Sequence, residues 1–111
     1  MNLEELTLEI EKKGKIWVGA KQVAERLDDL KKTVLAKVQT DLELRSNGTK
    51  ISESKLERLA LASQEYQQHI IDMCAAKKNE REAFIEYEAY KNLFEATRST
   101  MAMERARMNL I

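Results

Sequence analysis

The residue types that chemistry would require are scarce in these 111 residues: His69 is the only histidine and Cys74 the only cysteine. A catalytic histidine needs a nucleophile or a carboxylate brought to it, and the flanking QEYQQHIID offers no recognised pairing. Carboxylates recur at Glu80, Glu86, Glu88 and Glu95, but there is no Glu-x-x-His pair of the kind that builds metal sites in helix bundles. A single cysteine has no disulfide partner and no Cys/His metal set. Next to Ile70, Ile71 and Met73 it reads as a small buried hydrophobe. The segment GTKIS lacks the spaced glycines of a phosphate-binding loop. The expectation is a non-enzymatic protein with no metal and no cofactor.

Binding is the remaining chemistry. Bases cluster as Lys12, Lys13 and Lys15, as Lys31 and Lys32, and as Lys77, Lys78 and Arg81, followed by Arg98, Arg105 and Arg107. Singly these are solvated helix faces. Multiplied by subunit number in an oligomer, they could hold a polyanion through salt-dependent phosphate contacts, so the first eight are candidate nucleic-acid contacts. Lys12, Lys13 and Lys15 flank Gly14, where a helix break would leave them accessible. Met101, Met103 and Met108 could form an adaptable binding surface, although packing at a helix end explains them as well.

Four of the six aromatic residues, Phe84, Tyr87, Tyr90 and Phe94, fall within AFIEYEAYKNLF. Rings at helical spacing ordinarily fill a helix interface. Phe84, Tyr87 and Phe94 are therefore assigned to a core, while Tyr90 and Trp17 are the better candidates for exposed stacking.

Those side chains must be positioned by helices. The chain has no proline and only three glycines, at positions 14, 19 and 48. A lead-in helix is expected over 1–13. A first long helix over 15–45 follows, with an apolar stripe at Ile16, Ala20, Val23, Leu27, Leu30, Val34, Val38 and Leu42, widened by Trp17 and Ala24. RSNGTKIS marks a turn over 46–52, because Asn-Gly favours positive φ. Ser52 or Ser54 is a plausible N-cap for a short helix over 53–62. After a bend near Ser63, a second long helix over 65–108 would extend for about 60 Å. Its seam is Tyr66, Ile70, Met73, Phe84, Tyr87, Phe94 and Met101, interrupted by Lys77, Glu80, Lys91, Arg98 and Arg105. The fold class is all-α: one domain, an antiparallel helical hairpin with a short additional helix. Each long helix buries only a stripe, so homo-oligomerisation is expected to complete the core.

Charged residues make up 34% of the chain, yet its net charge is zero. The charges come in blocks: residues 1–11 carry four acids and no base, residues 12–50 ten bases and five acids, residues 51–95 six bases and nine acids, and residues 96–111 three bases and one acid. Alternating blocks suit antiparallel pairing of helices at least as well as binding to a polyanion. No run approaches the ~18 apolar residues of a membrane span, and MNLEELTLEIE lacks the features of a signal peptide. A cytoplasmic protein without membrane contact is expected.

The layout VAERLDDLKKTVLAKV, polar turn, LERLALASQEYQQHI, then YEAYKNLFEATRSTMAMERA resembles the small coil-containing proteins of tailed phages and prophages encoded among recombination and single-strand-binding genes. More distantly, it is similar to the UvsY-type recombination mediators. The resemblance covers about residues 15–106; Ala-Ser-x-Glu-Tyr at 62–66 and the run from Phe94 to Arg98 are its most distinctive parts. It implies a phage-encoded accessory of DNA recombination or replication, acting in the host cytoplasm on single-stranded DNA, a recombinase or a single-strand-binding protein. The competing expectation is a protein-binding adaptor, assembly factor or inhibitor that presents a helical face and does not bind nucleic acid.

Overall fold

The computed structural model describes residues 1–110. It is all-α, with four helices: α1 (Leu3–Asp29), α2 (Lys31–Arg45), α3 (Glu53–Leu61) and α4 (Gln64–Asn109). The described residues contain no strand. They fall into two compact units: Met1–Ala20 with the chain from Asn79 onward, and Lys21–Lys78.

In the first unit, the start of α1 lies antiparallel to the second half of α4. Asn2 opens α1 by accepting the backbone N–H of Glu5 on its side-chain oxygen, at 2.8 Å. The charge blocks match the direction of pairing: Leu3, within the acidic 1–11, lies beside Arg98 and Arg105 of α4, and Lys13 reaches Glu86, in the acidic 79–95, at 2.7 Å. Parallel pairing would have placed like charges together.

The expected break at Gly14 does not occur, because α1 runs unbroken through Gly14 and Gly19. Gly14 has a packing role instead. A Cβ built there would stand 3.3 Å from Cε2 of Tyr87, so the missing side chain makes room for that ring. Nothing lies within 4 Å of a Cβ at Gly19.

The second unit holds the end of α1, all of α2 and α3, and the start of α4. The expected helix over 15–45 is interrupted at Leu30, which separates α1 from α2. The backbone there stays right-handed, with Leu30 N–H donating to Arg26 and its carbonyl accepting from Val34. The turn between α2 and α3 follows the sequence expectation, with Asn47 at φ 51° and Gly48 at φ 82°. Ser52, not Ser54, caps α3, its hydroxyl accepting from the N–H of Lys55 at 3.3 Å. The break near Ser63 is present: Ser63 Oγ accepts from the N–H of Tyr66, starting α4, while Gln67 Nε2 donates back to the carbonyl of Leu61.

The cores are thin. Leu6 is the buried residue of the first unit; Ala24, Val38, Leu56, Ala60, Met73 and Ala76 form the core of the second.

These backbone roles separate the glycines. Gly19→Ala, in helix with open space, should stabilise by about 1 kcal/mol. Gly48→Ala, forced to positive φ, should destabilise by about 1 kcal/mol. Gly14→Ala should gain less than Gly19→Ala because Tyr87 must yield. Urea unfolding of the three variants, followed by far-ultraviolet circular dichroism, checks the order.

Candidate functional site

The most built-up cluster in the chain lies in the first unit, where Trp17 of α1 meets α4. Its indole stacks on Tyr87 at 5.6 Å and 14°, and tilts against Phe84 at 5.0 Å and 54°. The indole Nε1 donates to Oε1 of half-buried Glu80 at 3.4 Å. Lys91 sits 5.2 Å above the Tyr87 ring, and Lys13 lies 6.0 Å from the Tyr90 ring while pairing with Glu86.

Trp17 and Tyr90 are thus half-buried participants rather than free stacking platforms. Trp17 holds two rings of α4, and Tyr90 lies under the Lys13 ammonium. The glutamate expected to interrupt the seam, Glu80, is the acceptor for the indole.

Of the residues on the expected stripe and seam, Ala24, Val38 and Met73 are buried and Trp17, Leu27, Val34, Tyr66, Ile70, Tyr87 and Phe94 half-buried, whereas Phe84 and Met101 remain 39% and 43% exposed. Two facing helices enclose only the line between their axes, and small or slender residues occupy it. Bulky rings straddle the edge. The stripe expected on the first long helix is inward at Ala20, Ala24, Leu27, Val34, Val38 and Leu42 and at Trp17, while Ile16, Val23 and Leu30 along one of its edges are exposed. One residue along a helix is a turn of about 100°, so the stripe centres nearer Trp17 than Ile16.

The candidate nucleic-acid contacts divide between the units. In the first, Lys13 is turned inward to Glu86, and Lys15 pairs with Glu11 at 3.2 Å. Lys12 and Arg81 are exposed. In the second, Lys77 pairs with Asp28 at 3.3 Å, Lys31 is half-buried, and Lys32 and Lys78 are exposed. The trio beside Gly14 is therefore not a mobile basic loop: it sits on continuous helix, and two of its three ammonium groups meet carboxylates of the chain itself.

Cys74, expected to be buried, is exposed. The buried neighbours on its helix are Met73 and Ala76, one and two positions away and on another face. His69 has a structural part that its flanking residues did not suggest. Its Nε2 lies 2.7 Å from the carbonyl of Leu27, near the end of α1. A carbonyl only accepts, so the ring donates from Nε2. In the same unit Lys37 reaches Glu65 at 3.0 Å.

Among the described residues no group of acidic, histidine and cysteine side chains could hold a metal ion, and no helix is long and apolar enough to cross a membrane. One cleft, about 260 Å³, lies where Leu3 meets α4 between Glu95 and Arg105. Ile85 (61%), Leu93 (47%) and Met103 (72%) line up on α4 on the side away from the Trp17 cluster.

The hydrogen bond to Glu86 raises the pKa of Lys13 above its ordinary 10.5, and the bond to Glu65 does the same for Lys37. A raised amine pKa stabilises the fold below the ordinary lysine value and ceases to do so as pH rises through the folded value. Loss of stability in strong alkali should therefore be shallower in Lys13→Met than in the parent, as urea midpoints across about pH 9 to 12 would show. Because the Phe84 ring is only partly enclosed, Phe84→Ala should cost about 2 kcal/mol in thermal unfolding, short of the ~3–5 kcal/mol of a fully buried ring.

Compared with known proteins, the chain matches no family model, no curated protein and no solved structure.

Proposed function

We propose that this protein acts by binding protein through its helical faces, as a non-enzymatic, self-associating adaptor or assembly factor. The observation that supports this most strongly is the contrast between its charges and its apolar side chains. Lys13, Lys15, Lys37 and Lys77 meet carboxylates of the same chain. Large apolar side chains such as Leu8 (62%), Ile16 (49%), Val23 (54%), Ile71 (59%) and Ile85 (61%) meet water. Exposed apolar surface carried on stable helices is what helix-to-helix recognition uses, and Met103 and Met108, over 70% exposed, suit an adaptable contact.

A second reading is an accessory of phage DNA recombination, in which the protein assists a recombinase or contacts single-stranded DNA. Exposed Lys12, Lys32 and Arg81, with no carboxylate in ion-pair range among the described residues, favour it. With zero net charge, such binding would depend on many weak phosphate contacts and fall steeply with salt.

Fluorescence anisotropy of a labelled single-stranded oligonucleotide at low and moderate salt, with the mass of the same sample determined by light scattering, separates the two. The expected result is a defined oligomer that leaves the oligonucleotide free at moderate salt. Salt-sensitive binding abolished by joint replacement of Lys12, Lys32 and Arg81 with alanine would transfer the assignment to the second reading.

A further inference from the structure

Four helices leave three breaks, and two of these have local causes. Asn47 and Gly48 turn the chain before α3, which Ser52 caps, and Ser63 caps α4. The break at Leu30 has none. No side chain caps α2, and RLDDLKKT, residues 26–33, contains no glycine, proline or serine. The charges are also placed against two helix ends meeting here. Asp28 and Asp29 follow Arg26 at the end of α1, where the helix dipole disfavours acids, and Lys31 and Lys32 open α2, where it disfavours bases. In one unbroken helix the same residues would form favourable pairs three and four apart, Asp28 with Lys31 and Lys32, and Asp29 with Lys32.

The backbone shows which rungs are lost. Leu30 lies outside both helices, although its N–H donates to Arg26 at 3.0 Å and its carbonyl accepts from Val34 at 2.9 Å. The rungs that would make it helical are the adjoining ones, Lys31 to Leu27 and Thr33 to Asp29. At the first of these, the Leu27 carbonyl accepts from Nε2 of His69 at 2.7 Å, and both residues are half-buried. Entry of a side chain into the hydrogen-bond ladder is a recognised cause of a helix break, and with proline and glycine absent it is the one found here.

We propose that His69 is a latch. It holds the Leu27 carbonyl out of the ladder, and on its withdrawal α1 and α2 join into one continuous helix. From α4, Lys77 on Asp28 at 3.3 Å and Glu65 on Lys37 at 3.0 Å brace the latched form on either side of the break. These pairs are exposed and contribute little, so the histidine decides. All of these groups belong to the second unit. The consequence is a change of surface: exposed Val23, Leu30 and Leu44 stand seven and fourteen residues apart, and a continuous helix would align them, whereas the latched break divides them. The latch itself does not depend on what the protein binds.

Hydrogen exchange of backbone amides in the full chain, followed by nuclear magnetic resonance, tests it. In the parent, the N–H groups of Lys31 and Thr33 should exchange roughly tenfold faster than the bonded N–H groups of Leu30 and Val34. His69→Phe keeps a ring but no donor, and should slow Lys31 and Thr33 to the rate of those neighbours. His69→Gln, whose amide can still donate, should leave them fast. Where His69→Phe does not fold, His69→Asn, polar and too short to reach Leu27, takes its place with the same expected slowing. Equal exchange in the donor-lacking or shortened variant and in His69→Gln overturns the latch, as do Lys31 and Thr33 amides already slow in the parent.

Discussion

Packing of the Trp17 indole between α1 and α4 is the contact on which the first unit depends. It sets register, because the indole can stack on Tyr87, lean on Phe84 and reach the Glu80 carboxylate only in one alignment of the antiparallel helices. Gly14, one turn earlier on α1, lets the Tyr87 ring approach the backbone. Lys13 then falls within reach of Glu86 and Tyr90. An exposed ion pair adds little stability by itself. Here it disfavours the slipped or parallel arrangements that would bring like charges together.

The second unit solves a different problem. Its helices are shorter, and its core is made of small side chains, Ala24, Ala60 and Ala76, with Val38, Leu56 and Met73. Small residues let helices pack closely but bury little apolar surface, so end interactions matter more. Ser52 and Ser63 cap the two helices that follow breaks, Asn47 and Gly48 supply the left-handed turn, and His69 engages the Leu27 carbonyl just before the chain bends at Leu30. The single histidine is thus tied to the end of α1.

A thin helical layer has a functional corollary. Where each helix encloses one stripe, the opposite stripe must be polar or be covered by something else. On α1 that stripe holds Ile16 and Val23, continued by Leu30 just beyond its end; on α4 it holds Ile71, Ile85 and Met103. Meanwhile several lysines are drawn into pairs within the chain. The exposed large apolar side chains are the surface that the proposed protein binding would use.

The sequence by itself determined the all-α class, the polar reversal at Asn47–Gly48, the break near Ser63 and the antiparallel sense of the hairpin. Each follows from local chemistry or from charge order along the chain: no proline, residues tolerant of positive φ, a capping hydroxyl, blocks of opposite sign. Tertiary structure decided which edge of the first stripe faces inward. Ile16 and Trp17 are neighbours, both apolar, and periodicity puts both on the stripe without choosing between them. The choice falls to Trp17 because Tyr87, Phe84 and Glu80, more than sixty residues away, fit that ring. For the same reason Gly14 reads locally as a break and becomes a packing site only beside Tyr87, and Lys13 reads as a free cation until Glu86 stands 2.7 Å from it.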